Sequence, residues 1–288
     1  MSAVAVPLAR PRVVRRLRSL PGAVQAAWVV IAVLAVMVLA GPWLAPHALA
    51  QDVLLGTVPA GSPGHPLGTD ALGRDVLALT IAGTRSALVG PLVIALGSMS
   101  LGLLLGAPAG YRGGLLDSLV GRWCDLVLAL PPILLAIVVA GVIGGGYWVS
   151  VAVLVVLFSP SDTRMIRSAV LATRHRPYLE ATRVLGLSTP KVLVRHVLPN
   201  IAPIALTNVF LDVAFALVAM SSLSYLGVGV APGAADWGRQ LSDGRDLLFS
   251  NPAASVVPGV MIIVAAVAAN VVGDWLADRF GVGEAVSA

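Results

Sequence analysis

The sequence predicts an all-α, polytopic membrane protein with about six membrane-crossing helices, and three observations lead there. Of its 288 residues 58% are hydrophobic and 11% charged, with a mean hydropathy of +0.92, which leaves too little polar surface to cover a soluble globule. The apolar residues fall in runs long enough to cross a bilayer core, a distance of about 20 helical residues. The arginines lie beside these runs rather than in a stripe with interleaved aromatics. The net charge of +5 therefore reads as a topology signal and argues against a nucleic-acid partner.

Residues 1–24 form a basic segment carrying Arg10, Arg12, Arg15, Arg16 and Arg18. The apolar run behind it, at about 25–46, starts near Trp28 and closes on Gly41-Pro42-Trp43, whose aromatic and proline suit an interface. It is too long for a signal peptide and lacks a small-residue cleavage site, so it is expected to remain as an anchor. Residues 47–85 mix proline, glycine and a few charges, too polar to span and too long for a tight turn, and are expected outside. A second helix is expected at about 86–110. No charge occurs between Asp125 and Asp162, a stretch too long for one helix, and Gly144-Gly145-Gly146 divides it into a third and a fourth joined by a very short turn. The fifth is expected at about 201–227 in spite of Asp212, and the sixth at about 256–276, ended near Asp274 and Asp278. Residues 86–280 thus make the membrane domain, with a long polar loop at 172–200, and 281–288 a tail.

An even number of helices puts both termini on one side. If that side is the cytoplasm, the N-terminal arginines, Arg112, Arg122, Arg279 and the whole basic group from Arg164 to Arg195 lie inside. Only Arg74, Arg85, Arg239 and Arg245 then stay outside, the distribution that the positive-inside rule favours. The 172–200 loop and the 281–288 tail are accordingly expected to be cytoplasmic.

Ser98, Gly102 and Gly106 recur every four residues in the second helix, a face on which another helix approaches closely. Asp125, Asp162, Asn208, Asp212, Asn270 and Asp274 sit within or at the ends of apolar segments, where a polar side chain is costly unless it meets a partner or water. Asp212 is the most interior. With Asn208 it is a candidate for a path or gating role, the alternative being a hydrogen bond or ion pair between helices. None of His47, His65, His175 and His196 lies inside an apolar span, and no paired ionisable cluster is visible. Cys124, the single cysteine, allows no internal disulfide or cysteine metal cluster and reads as a small packed residue.

The 172–200 loop carries the most specific local pattern. Pro177 fits the first turn of a helix and Gly186 has the residue type that ends one in a left-handed conformation, so a helix is expected over about 177–185. On it Tyr178, Ala181, Thr182 and Leu185 recur at helical spacing and form a mostly apolar face, with Glu180 and Arg183 pointing elsewhere. A second short helix starts with Ser188 or Thr189 as N-cap and Pro190 at its first position, and is expected to end before Pro199. A projecting, partly apolar helix with charged flanks fits a groove on a soluble partner.

Glu180-Ala181-Thr182, with Gly186 and Leu198-Pro199, resembles the EAA loop of permease subunits of bacterial ATP-binding-cassette importers, with Thr182 where a second alanine is usual. His65-Pro66-Leu67-Gly68-Thr69-Asp70, Leu72-Gly73-Arg74-Asp75-Val76 and Gly83-Thr84-Arg85-Ser86 are similar to the dipeptide, oligopeptide and nickel permease C-type subunits. So are Ser222-Leu223-Ser224-Tyr225-Leu226-Gly227-Val228-Gly229, Trp237-Gly238 and Gly244-Arg245-Asp246. The resemblance covers about residue 60 to the C-terminus and implies a type I importer fold in a bacterial inner membrane. It implies that Tyr178, Glu180, Ala181, Thr182, Gly186, Leu198 and Pro199 belong to a cytoplasmic coupling element docked on one or two ATPase subunits, which bind ATP and magnesium. A second, B-type permease would complete the path, an extracellular binding protein would deliver cargo, and transport would run by alternating access. The resembling subfamily implies peptide cargo, with nickel or another small solute as the alternative.

The residues agree on what is missing. Lys191, the only lysine, follows Thr189-Pro190 on a helix, so there is no P-loop, and the chain is expected to be non-catalytic and to hold no cofactor or metal. HExxH and GxSxG motifs are absent, which argues against an intramembrane enzyme. An ion-coupled secondary transporter would show coupling-ion sites at mid-membrane and an internal repeat, and neither is visible. The outer segments, 47–85 and 231–252, are expected either to contact a binding protein or to pack over the helix ends. His65 alone is a weak metal signal.

Overall fold

A computed structural model describes residues 21–174, 176–184 and 186–280, without the side chains of residues 180, 181, 183 and 184. The N-terminal arginines, His175, Leu185 and the 281–288 tail therefore lie outside the described residues, as do the side chains of Glu180, Ala181 and Arg183. Among the described residues there are helices and turns but no strand. In order they are α1 (Gly22–Leu44), α2 (Val76–Arg112), α3 (Gly114–Leu128), α4 (Pro132–Ile143), α5 (Tyr147–Thr173), α6 (Pro177–Val184), α7 (Thr189–Val192), α8 (Leu198–Tyr225), α9 (Trp237–Gly244) and α10 (Ala253–Phe280). A π-turn over Leu193–Val197 fuses α7 to α8. Among the described residues five helices are long and apolar enough to cross a membrane, α1, α2, α5, the continuous Thr189–Tyr225 and α10, or six if α3 and α4 count as one span bent by 85°.

Four boundaries depart from the sequence expectation. The second helix begins at Val76 rather than about 86, because Asp75 caps it: its Oδ1 accepts the Ala78 amide at 2.8 Å. Arg85, which suggested a loop, is an exposed residue on this helix. Residues 114–128, expected to be partly loop, form α3, whose Asp117 and Asp125 pair with Arg167 and Arg164 of α5. Pro131 and Pro132 then turn the chain into α4. Asp162 falls within α5, which runs on to Thr173.

Pro199 does not end the second short helix. The Leu198 amide reaches the Leu193 carbonyl, five residues back, and this widened turn relieves the clash that a proline ring otherwise makes with the preceding turn. One helix of 37 residues results. The triple glycine does divide its two helices as expected, with φ of 108°, 67° and 103° at Gly144, Gly145 and Gly146, a left-handed run that only glycine tolerates.

The small-residue face of α2 meets α5. A Cβ on Gly102 would stand 2.6 Å from the Cβ of Asp162, and one on Gly106 2.5 Å from the Thr163 carbonyl, so the two backbones are nearly in contact. Below this seam, Tyr111, Ile166, Val170, Val197 and Ile201 form the core at the α6 end. Above it Ile94, Val151, Leu154, Met220 and Leu223 form a second cluster. Cys124 is buried with Ala109 and Val120. By contrast, Val29, Val33, Val36 and Leu39 of α1 and Ile263 and Val267 of α10 are exposed, as an apolar solvent allows.

Candidate functional site

The corner between α6 and α7 is built from both sides. Pro177 opens α6, and Leu179 is fully buried in the cluster that holds Ile166 and Val170 of α5 with Val192, Val197 and Ile201 of the continuous helix. Thr182, also buried, donates its hydroxyl to the Leu179 carbonyl at 2.7 Å. Gly186 adopts φ +68° with open space where a side chain would stand, so conformation and not packing requires the glycine. The Leu187 amide reaches back to the Thr182 carbonyl at 3.1 Å, the six-to-one bond of a Schellman ending, and the Leu187 side chain joins the same cluster. A short helix that is marginal alone is thereby tied to the bundle.

The expected apolar face is only partly the one observed. Tyr178 is exposed, as a docking face requires, its hydroxyl accepting the Asn200 side-chain amide at 2.6 Å, but Thr182 turns inward. The inward anchor is Leu179, which the spacing argument passed over because it flanks rather than belongs to the stripe through Tyr178. Leu185 lies outside what the structure describes, as do the side chains of Ala181 and Glu180. Leu198 packs against the core cluster, and Pro199 is exposed beside Asn200.

At mid-bundle, Asn208 donates its amide nitrogen to Asp162 Oδ1 at 2.8 Å and to Asp212 Oδ2 at 3.0 Å. Asp162 is fully buried, whereas Asn208 and Asp212 keep a partly open side. Two carboxyl groups share one amide donor in an apolar layer. This corrects the expectation that no paired ionisable cluster exists. The pair comes from the crossing of α5 and α8, and no local spacing announces it.

The opposite end is closed by segments 47–85 and 231–252 packing on each other. Asp70 accepts the Leu72 and Arg74 amides at 2.9 Å each and the Arg74 guanidinium at 2.6 Å. Arg74 then donates to the Gly233 carbonyl at 3.0 Å. Trp237, fully buried, donates to the Thr80 carbonyl at 2.9 Å, and Gln240 to that of Leu79 at 2.8 Å. Asn251 bridges the carbonyls of Leu67 and Thr69. His65 bonds Asp75 at 2.8 Å. A cavity of about 420 Å³ remains, lined by Asp70, Arg74, Arg239, Asp243, Arg245 and Asp246 among others.

Comparison with known proteins is consistent across sequence and fold. A family model described as binding-protein-dependent transport system inner membrane component matches residues 102–282. A putative peptide permease protein of Brucella suis is 37% identical over 240 residues, 83% of this chain and 79% of that protein. The glutathione transport system permease protein GsiD of Pectobacterium atrosepticum is 34% identical over 75% of this chain and 72% of its own length. The nickel transport system permease protein NikC of Escherichia coli is 30% identical over 89% and 92%. Among solved structures, a chain of the MetNI methionine ABC transporter in an inward-facing conformation superposes with a TM-score of 0.52 at 16% identity, covering 70% of this chain and 96% of that one.

Proposed function

The chain belongs to the family of binding-protein-dependent transport system inner membrane components, and from that premise we propose that it forms half of the path of a peptide importer and is driven through α6. The observation that carries the proposal is the α6 corner, a short helix anchored to the bundle by Leu179 and Leu187 and closed by Gly186. A helix so held moves with the bundle behind it, as a coupling element must. In this reading the α6 end and both termini face the cytoplasm, and one or two partner ATPase subunits that bind ATP and magnesium receive α6. Tyr178, Glu180, Ala181, Thr182, Gly186, Leu198 and Pro199 make up that element. A second, B-type permease covers the open side of Asn208 and Asp212, which face the shared path, and the Arg74–Asp243 end meets an extracellular binding protein. Closure of the ATPases rocks one bundle against the other, giving alternating access.

Peptide is the preferred cargo because the Brucella and Pectobacterium relatives carry peptide and glutathione in their names. Nickel is the second reading, favoured by the nickel permease relative that aligns over most of both chains. The test is reconstitution with the second permease, the ATPases and the binding protein, followed by uptake of a labelled dipeptide and of nickel. Glu180→Gln and Gly186→Ala are expected to abolish ATP-driven uptake with insertion intact. Unaltered uptake in both variants sinks the coupling reading, and uptake of nickel but not dipeptide reverses the cargo.

A further inference from the structure

A shallow, widely open cleft of about 380 Å³ lies beside α6, lined by Arg176, Tyr178, Arg195, His196, Pro199 and Asn200. One wall is the start of α6 itself, and the other is the π-turn and first residues of α8. The Asn200–Tyr178 bond ties the walls together at 2.6 Å. Its charge is one-sided among the described side chains, since two guanidinium groups line it and no described carboxylate does.

Three cations of α5 and its end are held within the chain, whereas Lys191, Arg112 and Arg122 are exposed. Arg164 is paired with Asp125, Arg167 grips Asp117 with two nitrogens, and Arg174 donates to the Gly110 carbonyl at 3.4 Å. Arg176 and Arg195 are exposed and have no ion-pair partner among the described residues. The cleft thus presents two guanidinium groups without an ion-pair partner among the described residues, directly against the helix that docks.

We infer that this cleft receives a carboxylate-bearing segment of the ATP-hydrolysing subunit, forming a second contact beside the groove that holds α6. The inference rests on the docking reading above and adds to it a surface and a chemistry. A partner that takes α6 must pass the mouth of the cleft, because Tyr178 belongs to both and Arg176 directly precedes α6. Complementary charge at a rim of this kind speeds encounter and fixes register, and it is screened by salt. The π-turn contributes by placing Arg195 and His196 on a widened turn, a distortion frequent at functional sites.

The experiment uses the whole complex with its cognate ATPase subunits and measures their binding to the permease pair across a salt series. Arg176→Gln with Arg195→Gln is expected to weaken binding about tenfold at low salt and to flatten the salt dependence. Arg176→Lys with Arg195→Lys, which keeps the charge, is expected to retain most of the affinity and the slope. Equal affinity and equal slope in the glutamine variant overturn the inference. It is also overturned if that variant loses only a preference for phosphatidylglycerol over phosphatidylcholine vesicles, since the cleft then holds a lipid headgroup. Failure of the wild-type ATPases to bind at any salt overturns the docking reading itself, and this inference with it.

Discussion

Gly102 and Asp162 meet so closely that a methyl group added to the glycine would stand 2.6 Å from the aspartate's Cβ. Backbone lies on both sides of that contact, so the helices must separate to admit it. Gly102→Ala is expected to lower stability by about 1–3 kcal/mol, the usual range for overpacking. Gly141→Ala, where nothing lies within 4 Å, is the control and should be neutral or slightly stabilising. Thermal unfolding in detergent compares them, and equal midpoints would refute the close seam.

Leu179→Ala removes the buried anchor of α6 and leaves a cavity in the cluster with Val170 and Val197. The expected loss is about 2–4 kcal/mol, felt locally as faster hydrogen exchange in residues 177–184. ATPase activity should continue while uptake falls, because α6 loses its hold on the bundle. Unchanged exchange in α6 would show that other contacts carry it.

Asn208→Leu takes away the donor shared by Asp162 and Asp212. Loss of about 1–3 kcal/mol is expected, as for a buried acceptor left unpaired. Adding Asp212→Asn restores an amide donor beside Asp162, so the double variant should recover much of the stability. If Asn208→Leu unfolds at the wild-type temperature, the bridge is ornamental.

Asp236 lies between α8 and α10 and caps α9, accepting the Arg239 amide at 3.1 Å. Burial holds its carboxyl above the usual carboxylate value, against the opposing hydrogen bond from that amide. The folded protein thus binds this proton more tightly than the unfolded chain, and the group's contribution to stability falls as pH rises above the unfolded value. Asp236→Asn keeps a capping oxygen without the charge. It should raise the thermal midpoint at pH 7 and progressively less toward pH 4, and an equal shift at both would contradict the assignment.

The span count and the α6 corner were legible because they rest on local rules. Pro177, Gly186 and the triple glycine each act through their own backbone, and the arginines mark where apolar runs stop. The early start of α2 was hidden because Arg85 looks like a boundary, whereas only the Asp75 cap reveals the true one. Leu179 was passed over because its burial depends on which side the bundle lies, and an eight-residue helix offers too few turns to tell. The Asp162–Asp212 pair is invisible in principle to spacing, since it exists only where α5 crosses α8. The motif from His65 to Ser86 was recognised by resemblance, but its content is structural: Asp70, Arg74 and Asp75 hold a turn together and start a helix.

The π-turn that carries the chain past Pro199 makes Thr189–Tyr225 one rod of 37 residues, about 55 Å long at 1.5 Å per residue. A rod of that length is a lever: tilting it by about 10° carries its far tip roughly 9 Å sideways. Displacement imposed at Ser188 therefore reaches Tyr225 magnified. The widened turn at 193–197 and the proline at Pro203 are where the rod can bend, and both lie near its Ser188 end, where bending wastes the least stroke.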